Sequence, residues 1–170
     1  DEPRVSIRAR VCADAIEVAG ADRVVTLDLH TPQIQGFFRI PVDDLYALPV
    51  LCAEIVRKQL PNLVVVSPDT GFVKHDRKYA SFLGTSIAIA DKQRKAHDER
   101  AEILEIIGEV QGKTALIVDD FTISAGTLTN AAAALVERGA KAVYAAVSHG
   151  VFSEGSMERI DASPIQRLLV

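Results

Sequence analysis

Strand-like and helix-like segments alternate along the whole chain, and this alternation restricts the fold more than any other feature. Apolar spacing predicts a helix from Ser6 to Ala19, with Ile7, Val11, Ala15 and Val18 on one stripe and Gly20 closing it. A strand is predicted over Val24 to Asp28 and a helix over Tyr46 to Leu60, stopped by Pro61. A buried strand, Leu63 to Val66, precedes a helix from Thr70 to Leu83 that stops at Gly84. Strands follow at Ser86 to Ala90, Ile103 to Val110 and Ala115 to Val118. A helix over Thr127 to Arg138, a strand over Ala142 to Val147, a short helix over Ser156 to Asp161 and a strand over Leu168 to Val170 complete the pattern. The strands are apolar without alternation, as parallel strands covered on both faces are. The expected fold class is α/β, a parallel sheet flanked by helices, in a single domain over residues 1–170.

Composition narrows the function classes. At 170 residues and 48% hydrophobic, the chain has material for a packed core. A net charge of −4 gives no electrostatic case for nucleic acid or an anionic membrane. No apolar run approaches the roughly 20 residues of a membrane helix. The two cysteines, Cys12 and Cys52, lie in helix-like apolar patterns without metal-type spacing. They are expected as buried free thiols of a reducing, cytoplasmic compartment.

In open α/β sheets ligands gather at the carboxyl ends of strands. Several polar groups fall at those positions here. Asp28 and His30, two residues apart at a strand end, would point the same way and form a metal or phosphate corner. Asp28 capping a turn and His30 as a partly buried, satisfied histidine is the plainer alternative. Asp69, in Ser67-Pro68-Asp69-Thr70-Gly71, either completes a metal corner or caps the following helix. Lys92-Gln93-Arg94-Lys95 leads into the polar stretch Ala96 to Arg100 and reads as a flexible cationic loop. Such a loop can stabilise phosphoryl charge, although a solvated charge run has the same composition. The sharpest signal is Asp119-Asp120 at a strand end, followed by the tight turn Ser124-Ala125-Gly126-Thr127 into a helix. Backbone N–H groups of such a turn suit a phosphate, and the carboxylates suit sugar hydroxyls.

These residues resemble the ribose-phosphate pyrophosphokinase (phosphoribosyl pyrophosphate synthetase) family along essentially the whole chain. The pattern D-L-H-x-x-Q-I-Q-G-F-F-x-x-P-V-D runs from Asp28 to Asp43. S-P-D at Ser67 to Asp69, D-K-x-R at Asp91 to Arg94, I-I-G-E-V-x-G-K at Ile106 to Lys113 and V-D-D…A-G-T follow in the family's order. The resemblance implies the type I phosphoribosyltransferase-like fold. It implies transfer of the β,γ-diphosphate of ATP to the 1-hydroxyl of ribose 5-phosphate, giving 5-phosphoribosyl 1-diphosphate and AMP for nucleotide biosynthesis. By the same resemblance, His30 and Asp69 would hold Mg²⁺ near the ATP phosphates. Lys92 and Arg94 would be the catalytic cations. Asp119 and Asp120 would meet the ribose hydroxyls, and Ser124, Ala125, Gly126 and Thr127 would take its 5-phosphate.

The chain departs from the family at Ile123-Ser124, where members usually carry Asp-Thr, and at Phe72, where a second glycine usually follows Gly71. Val73 to Arg77 also differs from the usual arginine-containing, small-residue helix start. Full-length members have two similar domains and form homo-oligomers, typically hexamers built from dimers. The chain is therefore expected to be the middle to C-terminal piece of a longer enzyme, lacking the N-terminal domain and inactive alone. Two other classes compete. A non-catalytic regulatory homologue would assemble with an active synthetase and tends to lose the loop cations that are retained here. A phosphoribosyltransferase would consume the diphosphate, which the Asp28 to Phe38 signature disfavours.

Overall fold

The structure is a computed structural model that describes residues 7–94 and 102–170, with side chains described for 7–91 and 104–170. The chain divides into two compact units, Asp1–Ala47 and Leu48–Val170.

The first unit contains helix α1 (Arg8–Val18), strand β1 (Val24–Leu27), a 3-10 helix (Pro32–Phe37) and strand β2 (Val42–Leu45). The two strands pair in parallel, Val24 opposite Val42 and Leu27 opposite Leu45. The 3-10 helix and β2 are absent from the sequence reading. Val42-Asp43-Asp44-Leu45 lacks an apolar strand signature, and pairing rather than propensity makes it extended. The expected apolar stripe of α1 is also corrected. Ile7, Val11 and Val18 are 61%, 66% and 88% exposed, and only Ala13 is buried. Polar contacts hold α1 within its unit instead. Arg10 pairs with Asp14 at 2.8 Å and donates to the Phe37 carbonyl at 3.1 Å. Glu17 accepts the Arg39 backbone N–H at 2.6 Å. Cys12 on the same helix is exposed, so the expectation of two buried thiols holds only for Cys52, whose pKa burial pushes up to about 11.

The second unit carries a six-stranded sheet in the order β5-β4-β3-β6-β7-β8. Its elements are α2 (Leu48–Arg57), β3 (Leu63–Ser67), α3 (Val73–Leu83), β4 (Ser86–Arg94), β5 (Glu102–Ile107), β6 (Thr114–Thr122), α4 (Gly126–Glu137), β7 (Ala142–Gly150), α5 (Ser156–Asp161) and β8 (Ile165–Leu169). Alternate strand residues point to opposite faces, and both faces are covered. Val64, Val66, Ala115, Ile117, Val143 and Ala145 pack with Leu128, Ala131 and Leu135 of α4 in one core. Val65, Leu116 and Val118 take the other face, where Ile55 of α2 and Tyr79 of α3 are also buried. Helix α3 ends where Gly84 adopts φ 64°, a left-handed value that glycine reaches without a side-chain clash.

The sheet is parallel, as expected, except at one edge. β4 and β5 pair antiparallel, Arg94 opposite Glu102 and Ile89 opposite Ile107. A parallel crossover needs roughly a dozen residues or more, and the sequence between Arg94 and Glu102 is shorter than that. Strand β4 therefore runs on to Arg94, so Lys92, Gln93 and Arg94 lie on a strand rather than on the expected flexible loop. Lys95 to Arg100, the rest of that loop, falls outside the described residues.

The order of the strands defines where a ligand belongs. From β3 the chain winds outward through α3 to β4, while from β6 it winds the other way through α4 to β7. The direction reverses between β3 and β6, so their carboxyl ends flank the crevice that open α/β sheets use for binding.

Candidate functional site

Strand β6 supplies the acidic pair. It is buried from Thr114 through Val118, and Asp119 and Asp120 are the first carboxylates on it. The strand runs past them to Thr122 rather than ending at Val118. Asp120 is 3% exposed. Its backbone N–H donates to Asp119 Oδ1 at 2.9 Å, and the Phe121 N–H donates to Asp120 Oδ1 at 2.9 Å. Burial, followed by the neighbouring Asp120, pushes Asp119 up to about 8. At neutral pH the pair therefore tends to keep a proton, and it can offer both a donor and acceptors to a diol.

The turn after β6 is built for an anion. Ala125 takes φ 61°, a left-handed value that swings the chain from Ser124 into α4. No side chain caps the helix start. The Ser124 hydroxyl reaches the Gly126 N–H only at 3.4 Å. The first N–H groups of a twelve-residue helix are thus left for an external acceptor.

On the neighbouring strand, Ser67 ends β3 and Asp69 follows it. Asp69 Oδ1 accepts the Phe72 N–H at 2.9 Å, which fixes the turn into α3, while the helix itself begins only at Val73. Below this turn lies a group the sequence reading left out. Asp76 is fully buried, its Oδ2 2.5 Å from Ser67 Oγ and its Oδ1 3.3 Å from His75 Nδ1. Desolvation raises the Asp76 pKa above the usual carboxylate range, against the opposing hydrogen bonds from His75 and Ser67. Asp76 is also a minor contributor to the raised Asp119, to the extent that it ionises. The His75 ring contacts those of Phe72 and Tyr79, at centroid distances of 5.9 and 5.7 Å.

Second-unit candidates accordingly gather on adjacent strands. Asp119 and Asp120 lie on β6, Ser124 to Thr127 follow it, and Asp69 follows β3. Lys92 and Arg94 lie on β4, the next strand outward. The Asp28–His30 corner is different. It belongs to the first unit and its two members do not share an environment. Asp28 leaves the strand with φ 46° and is 6% exposed, its Oδ2 accepting the Ala47 N–H at 3.0 Å. His30 is exposed. Asp28 thus closes a turn, the plainer of its two alternatives.

Among the described residues no group of three His, Cys, Asp or Glu could hold a metal ion. Mg²⁺ keeps waters and is commonly bound by one or two carboxylates plus substrate phosphates. Asp69, oriented through one oxygen, has the chemistry of such a carboxylate.

Arg159 also escaped the sequence reading. Its Nη1 donates to the Ser124 carbonyl at 2.6 Å across 35 positions. Nothing local in the sequence marks it, because only the packing of α5 brings it to the turn.

The fold is of the α/β, phosphoribosyltransferase-like class. APRTase from Giardia lamblia, complexed with 9-deazaadenine, shares the fold at TM-score 0.56 and 17% identity, over 72% of this chain and 77% of that one. The phosphoribosylpyrophosphate synthetase of Mycobacterium smegmatis superposes with TM-score 0.87 at 39% identity, over 97% of this chain and 53% of that one. The ribose-phosphate pyrophosphokinase of Bordetella pertussis is 52% identical over 98% of the chain and 54% of its own length. Residues 95–170 match the model of the phosphoribosyl synthetase-associated domain. The chain belongs to the ribose-phosphate pyrophosphokinase family. It spans about half the length of the curated relatives it matches.

Proposed function

We propose that the protein containing this chain is a ribose-phosphate diphosphokinase, which transfers the diphosphate of ATP to the 1-hydroxyl of ribose 5-phosphate and releases AMP. The observation that carries this reading is the placement of the Asp119–Asp120 pair and the uncapped Ser124–Thr127 turn on one side of the strand-order reversal, opposite Asp69. A phosphorylated sugar needs both an anion site and hydroxyl acceptors a few residues apart, and β6 supplies them in succession.

In this reading the N–H groups of Ala125, Gly126 and Thr127 and the Ser124 hydroxyl take the 5-phosphate. Asp119 and Asp120 accept hydrogen bonds from ribose hydroxyls and orient C1. Lys92 and Arg94 counter the charge of the group in transfer. Alignment and charge neutralisation are most of what this chemistry requires. Asp69 would help hold Mg²⁺, which when bound neutralises phosphate charge. On this reading the protein works in the cytoplasm as a homo-oligomer. No described helix is long and apolar enough to cross a membrane.

Binding provides the test. Ribose 5-phosphate added to the chain should shift the amide resonances of Ser124 to Thr127, and Asp120→Asn should weaken that binding. Shifts elsewhere, with these four amides unmoved, would contradict the proposal.

A further inference from the structure

Three successive carbonyls at the end of β6 are all taken by one segment, Val151 to Arg159. The Thr122 carbonyl accepts the Val151 N–H at 3.0 Å. The Ile123 carbonyl accepts the Ser153 N–H at 2.8 Å and the Ser153 hydroxyl at 3.3 Å. The Ser124 carbonyl accepts Arg159 Nη1 at 2.6 Å. A carbonyl oxygen repels an anion, so a turn that is to hold one must direct its carbonyls elsewhere. Here they face a strap made from the loop after β7 and from α5. The last bond of the series, nearest the start of α4, is the only one made by a charged group.

That charge is not spent on a carboxylate. Glu158 and Asp161 share the helix with Arg159, yet no ion pair joins either to it among the described residues. A guanidinium has five N–H donors in a planar fork, and one is used by Ser124. The group also lies over the turn itself, its Nη1 3.9 Å from where a Cβ on Gly126 would stand. Gly126 bears one of the amides assigned above to the phosphate.

We infer that Arg159 is a positioning and specificity residue for a phosphomonoester at the Ser124–Thr127 turn. It draws the Ser124 carbonyl away from the anion and sets an uncompensated positive charge beside the Gly126 amide. The inference rests on the phosphate reading of that turn and extends it to a residue 35 positions away. A doubly charged monoester gains most from such a cation, and an unphosphorylated sugar gains nothing.

Calorimetric titration of the 170-residue chain with ribose 5-phosphate, and with ribose as the uncharged control, tests this. Arg159→Gln should weaken ribose 5-phosphate binding roughly tenfold to a hundredfold, as the loss of a charge-assisted hydrogen bond does. Arg159→Lys should recover part of the loss. Both variants should melt within a degree or two of the parent, since Arg159 is exposed. Equal affinity of the parent and Arg159→Gln would overturn the role of Arg159 and leave the turn as the phosphate site. Absence of ribose 5-phosphate binding by the parent would overturn both. A Gln variant weakened only in proportion to a lower melting temperature, with no recovery by Lys, would reduce Arg159 to a structural tie and contradict the inference.

Discussion

Ser67 Oγ lies 2.5 Å from Asp76 Oδ2 and, on its other side, 2.8 Å from the Asp69 carbonyl oxygen. One hydroxyl proton cannot serve two acceptors, so both contacts are hydrogen bonds only when Asp76 brings a proton of its own. Complete burial favours the neutral acid. The turn that carries Asp69 is thus tied to the protonation of a carboxyl inside α3.

Asp76→Asn tests that tie. Because the folded-state pKa is raised, Asp76 contributes stability below the ordinary carboxylate range, and that stability is lost as pH rises through the raised value. The Asn variant, which keeps a donor toward Ser67 and carries no charge, should match the parent at pH 4. At pH 8 it should exceed the parent by roughly 1 kcal/mol or more. Urea unfolding at the two pH values gives the comparison, and a variant less stable at pH 8 would break the argument.

Asp119 predicts a wider effect in the same direction. Its pKa is raised to about 8, so stability should be fully present below the ordinary carboxylate range and fall as pH rises toward 8. Asp119→Asn should flatten that decline. Because Asp119 interacts with both Asp120 and Asp76, the double variant Asp76→Asn, Asp119→Asn should not equal the sum of the single effects. Additive unfolding free energies would show the two carboxyls to be independent.

Lys92→Ala should leave the fold intact and lower kcat by about a hundredfold or more, the scale on which a preorganised charge in a transition state acts. Ribose 5-phosphate affinity should change little, since the proposed phosphate turn lies on β6 and α4. An unchanged kcat, measured as AMP release, would remove Lys92 from the mechanism.

Gly108 holds the antiparallel edge against the core. At φ 114° it has a backbone that side chains rarely adopt, and a Cβ there would stand 3.0 Å from Ala88 Cβ and 3.1 Å from Ala88 Cα. Gly108→Ala should cost about 2 kcal/mol through strain and the clash with a buried strand. A melting temperature within a degree of the parent would show that β5 gives way freely.

Much of this was legible in the residues, for identifiable reasons. β3, β6, β7, α3 and α4 announce themselves because strands buried on both faces are continuous apolar runs and glycines end these helices. Asp119, Asp120 and the Ser124–Thr127 turn were legible because strand, acids and turn are contiguous. Where one face is polar or the partner is distant, the signal fails. Lys92, Gln93 and Arg94 read as a loop because only the pairing with β5 makes them a strand. Ile7, Val11 and Val18 read as a core stripe, yet an apolar stripe does not say what it meets. Asp76 and Arg159 were invisible because each acts through a residue brought close only by folding.

The most direct measurement is product formation by the protein containing this chain, supplied with ATP, Mg²⁺ and ribose 5-phosphate. The account predicts AMP and 5-phosphoribosyl 1-diphosphate in equal amounts. Formation of ADP instead, or no turnover while ribose 5-phosphate still binds at the Ser124–Thr127 turn, would contradict it.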